Sequence, residues 1–174
     1  MNITLQRTLM VCMLAGALAL TITLVAAKDV SAAPSPERAG GATQISGVAL
    51  FDVDDTCDSP SVGADYALLM SGDLEGCLYT FVDTENARRS PSGTYLETGT
   101  ETFVASDGSG TFETTYRFEA KYDLAGEIFG RCQHPIVEGS GTGVFEGVTG
   151  ILFFKDVIEA ENAPYYPYRG HLRG

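Results

Sequence analysis

The sequence has 174 residues, a length that predicts one folded domain. It carries 11 lysine and arginine residues against 23 aspartate and glutamate residues, a formal net charge of −12 at pH 7. A protein that binds nucleic acid presents a basic surface to the phosphates, and this chain has no basic cluster beyond Arg88 and Arg89. The composition therefore excludes nucleic acid as a partner, and it disfavours an anionic membrane surface for the same reason.

The N-terminal segment, residues 1–33, is predicted to be a signal peptide. Arg7 is the only charge before the apolar run of residues 8–27, and small residues typical of a cleavage site follow it. Cleavage after Ala27 and cleavage after Ala32 both fit this pattern, and the protein is then expected to be secreted. An uncleaved signal anchor is the alternative, because an apolar run of this length can span a bilayer. Only in that case would the chain contact a membrane.

After the signal peptide, residues 34–43 are rich in proline, glycine, alanine and serine and are predicted to be a flexible lead-in. Residues 44–174 form the predicted domain, which is long enough for one core and too short for two. Its cysteines are Cys57, Cys77 and Cys132. In an oxidising compartment at least one disulfide is expected, and three cysteines allow one intramolecular bridge, in three ways, with one thiol left over.

The rest of the chain alternates between apolar and polar residues with a period of two, the pattern of strands rather than helices. The clearest segment is 111–122, in which the apolar residues share one face and the charged residues the other. Seven or eight long antiparallel strands joined by short turns predict an up-and-down meander that closes into an all-β barrel, with a two-sheet sandwich as the alternative. The predicted strands are residues 44–53, 64–82 (broken or bulged near Gly72 and Gly76), 93–105, 111–122, 126–138, 149–159 and 165–173.

A glycine-rich stretch, GSGTGVFEGVTG, occupies residues 139–150. A dinucleotide-binding fingerprint needs G-x-G-x-x-G before a helix and a P-loop needs Gly-Lys, and neither spacing occurs here. Glu146 would also repel a phosphate. The glycines instead predict a tight corner of the barrel wall, with Phe145 anchoring the corner in the core. The glycines assigned to this structural role are Gly139, Gly141, Gly143, Gly147 and Gly150.

Three motifs, in this order, resemble the allene oxide cyclase barrel superfamily. They are TFETTYRF (residues 111–118), GSGTGVFEGVTG (139–150) and YPYRGHL (166–172). The superfamily includes plant allene oxide cyclases, dirigent proteins and small bacterial proteins of unknown function, and the bacterial group also shares a segment like SGDLEG (71–76). The resemblance covers roughly residues 64–173.

This resemblance implies an eight-stranded antiparallel barrel with an apolar lumen. Plant members are often oligomeric, so a homo-oligomer is a candidate assembly here. The plant cyclases hold a fatty-acid epoxide in the lumen and cyclise it without a cofactor. The strand that matches their cysteine-bearing strand, residues 95–104, contains no cysteine. Their catalytic cysteine and carboxylate are therefore not carried over to this chain, and one fold hosts many activities.

Candidate acid–base residues lie in the predicted strand 93–105, where Glu97 and Glu101 share a face with Tyr95 and Phe103. If that face lined the lumen, a carboxylate among aromatic rings would suit general acid or base catalysis. The expected arrangement is the opposite one, with these carboxylates outside. The side chains expected inside are then Leu96, Thr98, Thr100, Thr102 and Val104.

A second candidate pair, Cys132 and His134, shares one strand face. Such a pair can act as a nucleophile or as part of a metal site, but side chains two residues apart do not touch closely, and the only other histidine is His171. A disulfide or buried thiol beside a hydrogen-bonded histidine is expected. The acidic residues of FDVDDTCD lack the spacing of a calcium loop and are expected to be solvated. These residues are Asp52, Asp54, Asp55 and Asp58.

The sequence favours a secreted, non-catalytic barrel that binds a small apolar or lipid-like molecule in its lumen. A lumen of eight strands is either filled by side chains or fits one small ligand. No metal site and no cofactor is expected. One alternative is a cofactor-free isomerase or cyclase with Glu97, Glu101 and His134 as catalytic candidates; the other is a structural or interaction protein with a filled lumen. The predicted ligand-lining residues are Tyr95, Phe103, Tyr116, Phe118 and Tyr122.

Overall fold

The structure of the protein, a computed structural model, describes residues 41–159 and 163–174. The predicted signal peptide and residues 34–40 of the predicted lead-in lie outside the described residues. Two short helical turns accompany the strands, α1 (Ser59–Val62) and a 3₁₀ turn at Gly143–Phe145. The strands are β1 (Thr43–Phe51), β2 (Tyr66–Gly72), β3 (Gly76–Val82), β4 (Arg88–Arg89), β5 (Thr94–Ala105), β6 (Thr111–Tyr122), β7 (Glu127–Pro135), β8 (Thr149–Lys155) and β9 (Tyr165–Arg173).

The long strands form one closed antiparallel barrel. Each strand pairs with the next along the chain, β9 pairs back to β1, and β3 pairs with β5. The short β4 lies beyond the end of β3 and adds two residues to the same edge of β5. The predicted up-and-down barrel is therefore confirmed, and the two-sheet sandwich is excluded. Closure removes the unpaired edges that a meander of this length would otherwise expose.

The predicted strand 64–82 is two strands, as its glycines suggested. Gly72 and Gly76 have φ angles of 108° and 155° and border the hairpin that separates β2 from β3. A Cβ on Gly72 would lie 2.7 Å from the Cα of Gly47 on the neighbouring strand, so the hairpin has no room for a side chain there. These two positions explain why the alternating pattern breaks between residues 72 and 76.

One disulfide joins Cys57 to Cys77 and leaves Cys132 as a buried free thiol. The bridge ties the loop after β1 to the start of β3. The same loop contains α1, which the sequence pattern did not predict. Proline near its start and Gly63 at its end, with φ of 73°, are the usual boundaries of such a turn.

An aromatic plug fills one end of the barrel. Phe103 and Phe112 are fully buried with ring centroids 4.9 Å apart, and the Phe145 ring meets both edge-on at 5.7 and 5.2 Å. Phe145 belongs to the glycine-rich corner, so its predicted role as an anchor is confirmed. The corner needs glycine where backbones meet: a Cβ on Gly141 would lie 1.8 Å from the carbonyl oxygen of Phe145, and Gly143 has φ of 59°. We call this the closed end.

No helix in residues 41–159 and 163–174 is long and apolar enough to cross a membrane.

Candidate functional site in the barrel lumen

A cavity of about 390 Å³ occupies the lumen on the other side of the aromatic plug. It opens where β1 ends and β5 begins, at the end of the barrel opposite the glycine-rich corner, and we call this the open end. Phe51 at the open end is 45% exposed, whereas Glu101 and His134, farther inside, are 2% and 3% exposed. The lumen is therefore a pocket with one entrance.

The face of β5 that lines the cavity carries Tyr95, Glu97 and Glu101, and this overturns the expectation that they lie outside. The register with β6 sets the face, because paired residues on neighbouring strands point to the same side. Glu97 is paired with Phe118 and Glu101 with Thr114, both of which point inward. The expectation was wrong because a buried carboxylate is costly only when it is unpaired, and hydroxyls from neighbouring strands satisfy these two.

Glu101 and His134 form a buried pair deep in the cavity. One carboxylate oxygen of Glu101 lies 2.5 Å from His134 Nδ1 and accepts a hydrogen bond from the Thr114 hydroxyl at 2.6 Å. The other oxygen accepts a longer bond of 3.3 Å from the Thr80 hydroxyl. With the proton of His134 on Nδ1, Glu101 accepts hydrogen bonds from three donors. In a neutral imidazole Nε2 is then an acceptor.

His134 Nε2 is buried and has no hydrogen-bond partner among the described residues. The imidazole lies between the rings of Phe154 and Tyr116, with centroid distances of 4.4 and 6.1 Å, so it cannot turn without repacking its neighbours. Buried polar atoms almost always have a partner, and each exception calls for an explanation. His134 lines the cavity, but its Nε2 has almost no exposed surface, so a bound molecule reaches this atom only after the neighbouring side chains shift.

Glu97 sits nearer the open end and accepts hydrogen bonds on both oxygens. The Tyr95 hydroxyl donates at 2.5 Å and the Tyr116 hydroxyl at 2.8 Å. Burial and the bond to Glu97 raise the pKa of Tyr95 to about 12, and the same causes raise the pKa of Tyr116 further. Gly99 makes room for this arrangement, because a Cβ there would lie 2.5 Å from the Tyr116 ring. Both tyrosines are therefore donors to Glu97.

A carboxyl pair, Glu127 and Asp156, lies at the open end, and the sequence analysis missed both residues. A Cβ on Gly130 would lie 2.1 Å from Asp156 Oδ2 and 2.5 Å from Glu127 Oε1, so the two oxygens are neighbours above that glycine. Burial, followed by the interaction with Glu127, raises the pKa of Asp156 to about 8. Asp156 is therefore protonated at neutral pH, Glu127 Oε1 has no hydrogen-bond partner among the described residues, and the Tyr122 hydroxyl donates to the other oxygen of Glu127 at 2.9 Å.

One of the two missed residues left a signal in the sequence. Asp156 continues the alternation of the buried residues Leu152 and Phe154, so strand parity alone places it inside. Glu127 left none, because β7 carries an extra residue where Tyr122 pairs with Glu127 and Lys121 with Phe129. Such a bulge shifts the parity of a strand, and the sequence does not mark where it occurs.

Of the predicted ligand-lining residues, Tyr95, Tyr116, Phe118 and Tyr122 line the cavity. Phe103 does not, because it belongs to the aromatic plug at the closed end. Lining residues that the sequence analysis did not name are Phe51, Tyr66, Leu68, Phe154 and Tyr166.

The free thiol of Cys132 also faces the cavity. Burial, followed by the nearby charge of Glu101, raises the pKa of Cys132 well above its usual value. A thiol in this state is a poor nucleophile, because the thiolate is the reactive form. Cys132 is a buried free thiol, and His134, two residues farther along β7, is hydrogen-bonded to Glu101.

The acidic loop after β1 is held by its own backbone. Asp52 accepts hydrogen bonds from the backbone N–H groups of Thr56 at 2.9 Å and Cys57 at 2.7 Å. Within residues 41–159 and 163–174, no group of three or more histidine, cysteine, aspartate or glutamate side chains is arranged to hold a metal ion.

The cavity wall carries several carboxyl groups and no lysine or arginine among the residues that line it in the described chain. Arg89 is the nearest described cation with a recorded contact; its guanidinium lies 4.8 Å from the centre of the Tyr122 ring, and its side chain is exposed to water. Electrostatically, the site is a negatively charged pocket with aromatic walls.

Comparison of the chain with models of protein families, with characterised proteins and with solved structures found no match.

Proposed function

We propose that this protein is an exported barrel that binds one small organic molecule in its lumen. The main support for this proposal is the cavity of about 390 Å³, which the aromatic plug closes at one end and which is open at the other. Ligand sites in proteins commonly measure roughly 300–1,000 Å³ and combine apolar walls with a few placed polar groups. Here the walls are mainly aromatic rings, and the polar groups are carboxyls, hydroxyls and one imidazole.

Export and fold family belong to the same proposal. The disulfide between Cys57 and Cys77 supports an oxidising compartment, which agrees with the signal peptide expected in residues 1–33. The closed antiparallel barrel and its glycine-rich corner support the assignment to the allene oxide cyclase barrel superfamily. The open cavity speaks against the alternative of a structural protein with a filled lumen.

Native mass spectrometry of the secreted protein tests this proposal, together with a neutral environment-sensitive naphthalene dye. A lumen-filling variant, Cys132→Phe, should lose both the co-purifying mass and the dye signal, because the added ring occupies the cavity. Leu69→Phe is the matched control, since Leu69 is 38% exposed and lies outside the cavity lining. A dye signal that survives in Cys132→Phe and an absence of co-purifying mass would overturn the proposal.

Acid–base catalysis is a second candidate function, favoured by the Glu101–His134 pair. An imidazole held by a carboxylate through Nδ1, with Nε2 free, has the geometry of a general base. In a cofactor-free isomerisation Nε2 would take a proton from one carbon of the bound molecule and return it to another, so no other reactant is consumed. Exchange of that carbon-bound hydrogen for deuterium in D₂O would support this proton transfer. Loss of the exchange in the His134→Gln variant would assign the transfer to His134.

A further inference from the structure

We propose that the molecule bound in the lumen is an organic cation: an amine or ammonium group carried on a flat apolar body. This inference rests on the proposed function and names the chemical class of the ligand. It predicts that the cavity binds positively charged molecules in preference to negatively charged ones, whereas a cavity for fatty-acid carboxylates would prefer the negatively charged ones.

The first argument is the balance of hydrogen-bonding groups. The three tyrosine hydroxyls that point to carboxylates, on Tyr95, Tyr116 and Tyr122, already donate their protons. Among the described residues, two buried side-chain atoms of cavity-lining residues have no hydrogen-bond partner, His134 Nε2 and Glu127 Oε1, and the first is an acceptor when Nδ1 carries the proton. A ligand with N–H donors suits these two atoms, whereas the hydroxyls of Tyr66 and Tyr166 are the lining groups left for a ligand's acceptors.

The second argument is charge. Glu97 and Glu101 accept hydrogen bonds on both oxygens, and Glu127 and Asp156 add two more carboxyl groups to the cavity wall. No lysine or arginine among the described lining residues compensates these charges. Carboxylates removed from water are costly unless a positive charge lies close by. A bound cation supplies that charge, whereas a bound carboxylate would add to the repulsion.

The third argument is the aromatic wall. Tyrosine and phenylalanine rings line the lumen, and the negative face of such a ring attracts alkylammonium groups. The structure has one example at the rim, where the guanidinium of Arg89 lies 4.8 Å from the centre of the Tyr122 ring. The exposed charge of Arg89 is solvated and does not neutralise the carboxyls deeper in the cavity.

Size limits the ligand. At about 30 Å³ for each water-sized group, the cavity of about 390 Å³ holds about 13 non-hydrogen atoms. An arylalkylamine of one ring and a short chain fits this volume. Its ammonium group lies beside Glu97, which lines the lumen between the open end and Glu101.

The test compares three probes of one shape: 4-phenylbutylamine, 4-phenylbutan-1-ol and 4-phenylbutanoate, which are a cation, a neutral molecule and an anion. Calorimetric titration of the purified protein should show that the amine binds at least tenfold more tightly than the alcohol, with no measurable binding of the carboxylate. Glu97→Gln should weaken amine binding about tenfold and leave alcohol binding unchanged. Glu113→Gln is the control, because it removes the same charge from an exposed position outside the lumen.

Each outcome of these titrations either supports or overturns the inference that the ligand is a cation. An alcohol that binds as tightly as the amine, or an equal loss of amine affinity in both variants, overturns the inference about charge while binding in the lumen stands. Failure of the proposed function looks different: none of the probes binds, and the lumen-filling variant Cys132→Phe is indistinguishable from the unmodified protein in every binding measurement.

Discussion

The Glu101–His134 pair should be strongly coupled in stability, and a double-mutant cycle measures the coupling. Glu101→Leu leaves the Nδ1–H of His134 and the hydroxyl of Thr114 buried without an acceptor, where they had bonds of 2.5 and 2.6 Å. A buried donor without a partner costs about 1–3 kcal/mol, and this change leaves two such donors. We therefore expect Glu101→Leu to lower the free energy of unfolding by about 3–5 kcal/mol.

The double variant Glu101→Leu with His134→Leu should recover much of that loss, because both polar partners are then gone together. Replacement of a whole buried pair by apolar side chains is often close to neutral. Glu101→Gln should cost far less than Glu101→Leu, since its amide oxygen can still accept from Thr114 and His134 while its NH₂ group faces the Thr80 hydroxyl.

Urea unfolding followed by tyrosine fluorescence suits these measurements, because the chain has eight tyrosines and no tryptophan. For a domain of this size, a change of 1 kcal/mol shifts Tm by about 3–5 °C, so the effects are easily measured. Additive free energies in the cycle would refute the reasoning, since independent sites show no coupling. A Glu101→Leu variant as stable as the unmodified protein would refute the buried pair itself.

Three further predictions follow from other parts of the barrel. The pKa of Asp156 rises from its ordinary 3.8 to about 8 on folding, so between these pH values the folded state holds a proton that the unfolded state has lost. The stability that this group contributes is therefore present at low pH and disappears as the pH rises through about 8. Asp156→Asn should flatten the fall in Tm between pH 5 and 9, and an unchanged slope would contradict the raised pKa of Asp156. Removing the disulfide by changing Cys57 and Cys77 to serine should cost about 3 kcal/mol, as expected for a closed loop with a sequence separation of 20, and urea midpoints with and without reductant give the same comparison. Phe145→Ala should lower the free energy of unfolding by about 3 kcal/mol, because it leaves a cavity in the aromatic plug. Val144→Ala, at the neighbouring position and 71% exposed, should leave the free energy of unfolding unchanged. Equal changes in the two variants would show that the packing of the plug contributes nothing to stability.

Period-two alternation was sufficient to predict the long strands, but it did not predict the two-residue strand β4. Strand β6 shows why the long strands are predictable, because its inward face is mainly apolar and its outward face mainly charged. Only one orientation of the strand then buries the apolar side chains and exposes the charged ones. The predicted strands that ran too far, 126–138 and 149–159, end in the structure at Pro135 and Lys155. Past those residues the chain leaves the sheet without losing its apolar character, so composition alone does not mark the boundary.

The orientation of β5 could not be predicted from its own residues. Both of its faces mix polar and apolar side chains, and the usual preference against buried carboxylates points to the wrong one. The deciding information lies on other strands, in the hydroxyls of Thr80 and Thr114 and the imidazole of His134. A site whose polar groups satisfy one another across strands becomes visible only when the register is known.

The two ends of the barrel differ for a physical reason. At the closed end, the aromatic plug needs no polar partner, so packing alone determines it and its sequence signature is local. In the cavity, each carboxyl needs donors, and the described lining residues supply hydroxyls and one imidazole N–H. These donors leave Glu127 Oε1 without a partner, and they leave the negative charge without a counter-ion among the described lining residues.

That residual charge connects stability to function in this protein. A core selected for stability alone would replace the Glu101–His134 pair by apolar side chains, at little cost or with a gain. Retaining carboxylates beside an open cavity makes sense when a bound molecule completes the electrostatics. The same balance predicts that a cationic ligand raises Tm more than a neutral molecule of the same shape at equal concentration, because relief of the buried charge makes the cation bind more tightly.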